Sequence, residues 1–222
     1  MFIKPVQSSL KSADVEIMTA KNVSYAKTAA VNPTGGLAKR AIDIAIASTA
    51  LIALSPLLIL VAILIKATSK GPVVFWSWRT GFLGRPFLMP KFRTLYISAP
   101  VESRETLGDA AHLYTPVGRL LRKSSIDEFP QFWSILIGDM SLIGPRPLLM
   151  HDIAASQRLA RNFALHSRPG ITGLAQINGR NHLTPRKKVS YDVAYARHWS
   201  WQMEIKIVVG TIRYVFTGYG VI

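Results

Sequence analysis

The chain has 222 residues, enough for one domain with appendages, and carries 27 Lys and Arg against 12 Asp and Glu, a formal charge of +15. That excess requires an anionic partner, whether nucleic acid, acidic lipid or phosphorylated substrate, while a 49% hydrophobic fraction and a mean hydropathy of +0.23 lean towards a membrane. The absence of cysteine excludes disulfides and thiolate metal sites, and His112, His151, His166, His182 and His198 form no H-x-x-x-H pair, which argues against zinc.

Residues 1 to about 36 mix Ser, Lys, Ala and Thr without sustained apolar periodicity and end on Asn32-Pro-Thr-Gly-Gly36. They read as a flexible or loosely attached tail without the apolar core of a signal peptide. From Ile44 to Ile65 run 22 residues with no formal charge. A straight helix of that length extends about 33 Å, enough to cross a hydrocarbon core of about 30 Å. Pro56 lies near its centre, removes the hydrogen bond to Ile52 and disfavours helical angles at Ser55. Bent there, two halves of about 17 Å each would enter and return. Lys39 and Arg40 precede the segment and Lys66 and Lys70 follow it, so both ends prefer the cytoplasm. Because proline is tolerated in membrane helices, a kinked spanning helix and a re-entrant hairpin both stay open on these grounds.

Gly71-Pro72 ends this element, and Val73 to Trp76 reads as a short strand. Gly81 and Gly84 mark a turn, after which Phe87 to Thr94 forms an extended piece carrying Lys91 and Arg93, either as strand-edge charges or as anion contacts. Residues 96 to 114 are polar and read as a surface loop or short helix.

The stretch from Thr115 to Pro147 concentrates the chemistry. Asp127 and Glu128 follow the cationic cluster Arg119, Arg122 and Lys123, and Pro145-Arg146-Pro147 makes a stiff turn. Ser125-x-x-Glu128 has the form of a capping box. With Ser125 as N-cap, however, Pro130 would be the fifth helical residue, the first whose N–H an intrahelical bond needs. A helix beginning at Asp127 puts Pro130 third, where the missing N–H is harmless, and leaves both carboxylates at the helix mouth. There they form either a plain acidic first turn or, given the cations around them, a site for phosphate chemistry. A helix N-terminus favours ionised carboxylate and phosphate alike, and an ionised aspartate serves as a nucleophile or a Mg²⁺ ligand.

Downstream, Asp152 to about Leu165 has helical spacing with Arg158 and Arg161 on a solvated or lipid-facing edge. Pro169 to Asn181 is too turn-rich for a helix and offers backbone N–H groups with Gln176, Asn178 and Arg180 as lining for a nucleotide pocket. Trp199 to Phe216 is aromatic and apolar, with Glu204, Lys206 and Arg213 interspersed. Too short and charged to span, it suits an interfacial or core-packing helix, with Trp199, Trp201 and Tyr214 at headgroup level.

The strings Leu121 to Gln131 and Gly138 to Pro147, with Lys91-Phe-Arg-Thr94 upstream and Pro169-Gly-Ile-Thr-Gly173 and Gln176-Ile-Asn-Gly-Arg180 downstream, closely resemble the bacterial sugar transferases. These enzymes move a sugar-1-phosphate from a UDP-sugar to polyprenyl (undecaprenyl) phosphate. The resemblance covers roughly residues 37 to 220 and is closest in character to the small members that initiate exopolysaccharides with galactose or glucose and lack a large N-terminal membrane bundle. It implies an α+β, mainly helical fold: a tail over 1–36, a re-entrant membrane hairpin over 37–72 broken at Ser55-Pro56, and a compact catalytic domain over 73–222 with interfacial helices and a few short strands. Such a protein is monotopic, on the cytoplasmic face of the bacterial inner membrane.

Carried over position by position, the resemblance implies that Asp127 is the nucleophile, that Asp127 and Glu128 hold Mg²⁺, and that Lys91, Arg93, Arg119, Arg122, Pro145, Arg146, Pro147, Gln176, Asn178 and Arg180 contact substrate. Asp192, with Tyr195 close by, matches a late acidic residue of the site; a surface acid beside a core aromatic is the other reading. The reaction is ping-pong through an aspartyl-phosphosugar, or direct attack by lipid phosphate in a ternary complex. A non-catalytic basic membrane-surface module is the alternative without chemistry. The expected partners are a UDP-sugar, polyprenyl phosphate and anionic lipids, with homo-oligomers and downstream glycosyltransferases allowed. No nucleic-acid motif, D-x-D, P-loop or G-x-S-x-G occurs. Ser77, Ser134, Ile137 and Glu204 depart from the usual Gln, Asn, Lys and Asp, and bear on donor preference and docking rather than on the reaction class.

Overall fold

The uncharged run forms the middle of one 33-residue helix, α1 (Gly36–Thr68), in a computed structural model that describes residues 33–99, 111–149, 157–158, 165–179 and 182–217. The expected interruption at Ser55-Pro56 does not end the helix. Pro56 deprives the Ile52 carbonyl of its N–H donor, and the Ser55 hydroxyl donates to that carbonyl instead at 2.8 Å. The helix is long and apolar enough to cross a membrane by length and composition.

Both ends of α1 pack on one folded body. Near its start Lys39, Asp43 and Ala47 are buried, and near its end Val61 and Ile65; from 48 to 60 nothing is buried. Ala47 joins Phe87, Met89, Ile135 and Met140, whereas Val61 and Ile65 join Phe92 and Leu121. The C-terminal end is closed by Arg93, whose guanidinium donates to the carbonyls of Lys70 at 2.6 Å and Ser69 at 2.9 Å and to the Ser69 hydroxyl at 2.6 Å. Gly71 is required there, because its φ is +121° and a Cβ would lie 2.1 Å from Arg93 Nη1.

The expected strand and extended piece form an antiparallel hairpin of β1 (Val74–Thr80) and β2 (Pro86–Phe92), pairing from Val74 with Phe92 to Thr80 with Pro86. After it come α2 (Gly118–Lys123), a 3₁₀ turn over Ile126–Glu128, and α3 (Gln131–Ile137). A short parallel pair follows, β3 (Ser141–Ile143) with β4 (Gly170–Thr172), and then α4 (Leu174–Ile177), α5 (Pro185–Arg197) and α6 (Trp201–Thr217). The segment expected to hold no helix thus contains a strand and a single helical turn, because its glycines allow backbones to meet: a Cβ at Gly173 would lie 2.1 Å from the Gly144 carbonyl oxygen. α5 starts on Thr184, which accepts from Lys187 N, with Pro185 at the first helical position.

The N-terminal end of α1 is locked to α5 and α6 by buried polar groups. Lys39 Nζ donates to Glu204 Oε2 at 2.8 Å and lies 3.7 Å from Asp43, which accepts the Leu142 N–H at 3.1 Å. Glu204 Oε1 accepts from Trp199 Nε1 at 2.9 Å and from the Tyr195 hydroxyl at 2.5 Å. Burial first, and then the Glu204 charge, push Tyr195 ionisation well above its ordinary range. Tyr195 and Glu204 are therefore structural. Opposite this buried side, α6 exposes Trp201, Ile205, Val208, Val209 and Ile212.

Candidate active site

The helix expected to begin at Asp127 begins later. Glu128 N donates to Ser125 O and Phe129 N to Ile126 O, a 3₁₀ pattern, and α3 starts at Gln131 with Pro130 as its N-cap. Ser125 turns the corner with φ 57° and makes no side-chain cap bond, so the capping box is not formed. A serine in that left-handed region costs about 1 kcal/mol, strain of a kind that gathers at functional sites. Asp127 and Glu128 therefore precede α3 rather than occupy its first turn, and side-chain cations compensate their charge.

Those cations come from three elements. Lys91 of β2 donates to Glu128 Oε1 at 2.7 Å, and Arg146 of the Pro-Arg-Pro turn reaches the same oxygen at 3.2 Å. Arg122 of α2 lies 5.7 Å above the Tyr114 ring and acts electrostatically on Asp127. Asp127 is 7% exposed, and among the described residues its carboxylate has no hydrogen-bond or ion-pair partner. Burial raises its pKa to about 6, with Glu128 adding to the rise and Lys91, Arg122 and Arg146 opposing it. Lys91 is shifted down, first by burial; Glu128 and Asp127 oppose the shift, while Arg146 and Arg79 reinforce it. Three cations thus face two carboxylates, with Arg79 adding a further positive charge beside Lys91, an excess that suits a phosphorylated ligand.

Arg79 of β1 is the member that the sequence reading missed. Its Nε donates to Ser77 Oγ at 3.1 Å, so the serine standing in place of the usual glutamine supports an arginine. Strand alternation was the available signal, since Ser77 and Arg79 share a face. The Pro-Arg-Pro turn itself is held at four consecutive carbonyls. Gly170 N donates to Pro145 O at 2.9 Å, Arg158 Nη1 to Arg146 O at 2.9 Å, Arg79 Nη1 to Pro147 O at 3.4 Å and Thr80 N to Leu148 O at 3.2 Å.

The remaining expected contacts are placed differently. Arg93 is used at the end of α1, as described above. Asp192 is buried, 2% exposed, and bonds Arg158 at 2.5 Å rather than facing the carboxylate pair. Arg158, expected on a solvated or lipid-facing edge, is 3% exposed, because it is the counter-charge of that aspartate. Arg119 is exposed on α2 and is absent from the charges acting on Asp127. Pro145 and Pro147 are buried in the turn. Gln176 is buried beside Gly173 with neither amide atom hydrogen-bonded among the described residues, and exposed Asn178 caps the Leu174 carbonyl at 2.7 Å. Arg180 and Arg161 lie outside the described residues.

Among the described residues there is no group of three or more metal-ligating side chains. An Asp127 carboxylate without a hydrogen-bond or ion-pair partner among the described residues, beside a second carboxylate, still fits Mg²⁺, which keeps waters and shares substrate phosphates rather than needing an all-protein cage.

Residues 34–218 match the bacterial sugar transferase family. The chain is 38% identical to the exopolysaccharide production protein ExoY of Sinorhizobium fredii (strain NBRC 101917 / NGR234), covering 95% of this chain and 99% of that one. It is 39% identical to the UDP-glucose:undecaprenyl-phosphate glucose-1-phosphate transferase of Klebsiella pneumoniae, over 82% of this chain and 40% of the relative. It is 36% identical to the UDP-N-acetylgalactosamine-undecaprenyl-phosphate N-acetylgalactosaminephosphotransferase of Aeromonas hydrophila, over 85% of this chain and 46% of the relative.

Proposed function

Since the chain belongs to the bacterial sugar transferase family, we propose that it transfers a sugar-1-phosphate from a UDP-sugar to undecaprenyl phosphate, as an early membrane step of exopolysaccharide assembly. The observation that carries this reading is the buried Asp127 carboxylate, without a partner among the described residues, inside a cation cluster. Asp127 attacks the sugar-bearing phosphorus, the bond to UMP breaks, and UMP leaves. An oxygen of the lipid phosphate then attacks the same phosphorus and releases the Asp127 carboxylate. Glu128 is the poorer nucleophile, because Lys91 and Arg146 both hold its Oε1. Splitting the reaction lets a soluble donor and a bilayer-bound acceptor use one site in turn. Asp127 and Glu128 would hold Mg²⁺, whose chemistry is to offset phosphate charge.

The test is a panel of UDP-sugars with undecaprenyl phosphate, followed by donor alone with labelled UMP. UDP-glucose or UDP-galactose is expected to be turned over, label is expected to exchange into the donor without acceptor, and a sugar-phosphate adduct should form on Asp127. Turnover with no exchange and no adduct would favour direct attack in a ternary complex. Binding without turnover of any donor would favour a membrane-surface module.

The same reading puts the protein on one membrane face, with α1 entering and returning and the exposed apolar side of α6 lying in anionic headgroups. It is supported by the burial of both ends of α1 against a single body, by exposure between them, and by cations at both ends. Lys39 is buried in an ion pair, so the exposed ends to probe are Leu37, 88% exposed, and Lys70. In this cysteine-free background, single cysteines at both positions are expected to label from the cytoplasmic side. Opposite accessibility would establish a spanning helix, and Pro56→Leu should shift the population towards it.

A further inference from the structure

The Arg146 guanidinium points at the carboxylate pair from a turn whose prolines stiffen the backbone but do not aim it. The aim comes from behind. Arg158 directs one guanidinium nitrogen to the Arg146 carbonyl oxygen at 2.9 Å and another to Asp192 Oδ2 at 2.5 Å, with both charged side chains buried. Asp192 sits on α5, and α5 packs on the same turn through Val189 against Leu148, with Val193 alongside. Burial pushes the Asp192 pKa up, and the Arg158 charge opposes that shift.

From this geometry we infer that Arg158 and Asp192 form a brace that fixes the Pro-Arg-Pro turn and so positions Arg146 for the donor diphosphate. They are positioning residues without substrate contact. This rests on the donor reading above. The fork of a guanidinium is what the brace needs, since its two outer nitrogens serve carbonyl and carboxylate at once. A lysine at position 158 keeps the charge opposite Asp192 but presents one compact head in place of the fork. Hydrophobic packing alone would not supply this function, because Leu148 and Val189 fix the distance between helix and turn without orienting the intervening carbonyl.

The experiment uses full-length protein in detergent and compares wild type with Arg158→Lys and Asp192→Asn by three readouts. The readouts are the melting temperature, hydrogen exchange of the Arg146, Leu148 and Leu149 amides, and steady-state kinetics with UDP-glucose and undecaprenyl phosphate varied separately. In Arg158→Lys those three amides are expected to exchange faster while α1 and α3 keep their protection. The KM for UDP-glucose is expected to rise between about tenfold and a hundredfold, with the KM for undecaprenyl phosphate unchanged. Asp192→Asn, which keeps the shape and an acceptor, should give the milder form of the same split. Unchanged exchange at the turn in a folded Arg158→Lys would overturn the brace, as would a loosened turn with unaltered donor kinetics. Parallel losses for both substrates that follow the melting temperature would reduce the pair to a fold-stabilising role. If wild type turns over no UDP-sugar while Arg158→Lys loosens the turn, the donor reading fails and the brace stands.

Discussion

Asp127→Asn is expected to abolish transfer, by a factor of about 10³ or more, and at the same time to raise the melting temperature. Burial lifts the aspartate from an ordinary 3.8 to about 6 despite Lys91, Arg122 and Arg146, so the fold favours the protonated form. Below about pH 4 both folded and unfolded chains hold this proton and the site costs nothing. Between about pH 4 and pH 6 the unfolded chain ionises this group while the folded state keeps it protonated, so a stability cost develops over that window and levels off above pH 6 at up to about 3 kcal/mol. Asparagine removes the charge and keeps the shape. At pH 7.5 a gain of about 1 to 3 kcal/mol is expected, roughly 2 to 8 °C in Tm, and it should vanish when the melt is repeated near pH 4. For the active enzyme the same value predicts a kcat/KM that rises with pH through about 6 as the nucleophile ionises. A stable wild type with an unstable Asp127→Asn, or an acidic limb that persists unmoved when Lys91 is replaced, would remove the carboxylate from this role.

The largest expected loss of stability follows from Lys39→Met. Lys39 is the only cation within ion-pair distance of Glu204 among the described residues, and both side chains are below 10% exposed. Removing it leaves Glu204 and Asp43 as buried carboxylates without their counter-charge, which costs about 3 to 5 kcal/mol. Thermal unfolding should show a drop of roughly 10 °C or more. Glu204→Gln is expected to be milder, because the amide oxygen still accepts from Tyr195 and Trp199 and Lys39 keeps Asp43. Combining the two should recover part of the loss, since Glu204 then no longer leaves an uncompensated charge and Asp43 alone still lacks Lys39. An unchanged melt for Lys39→Met would mean that the N-terminal end of α1 contributes little to the folded body.

Much of the site was legible in the chain because its members lie close together in sequence. Asp127, Glu128, Arg122 and Arg146 fall within one stretch whose proline spacing restricts the backbone, and Lys91 sits on a strand marked by its flanking turns. Pro130 also showed correctly that a helix could not run through from Ser125. What it could not fix was where the helix restarts. Strand-edge arithmetic likewise left Arg93 and Lys91 equivalent, although one closes α1 and the other binds Glu128.

Composition and local pattern alone pointed to an anionic partner, an apolar helical segment, a strand, turn and extended piece after it, and a carboxylate pair set among cations. Those properties depend on residue type and short-range spacing, which the sequence displays directly. Tertiary structure decided which charges are buried and with whom. Arg158 and Asp192 lie 34 positions apart and Lys39 and Glu204 lie 165 apart. Helical periodicity looks the same whether an arginine faces water or a buried aspartate. Only the packing of α1, α5 and α6 around the short sheets excludes water from these groups, and that exclusion turns ordinary surface-type residues into the buried pairs that aim Arg146 and anchor the apolar helix.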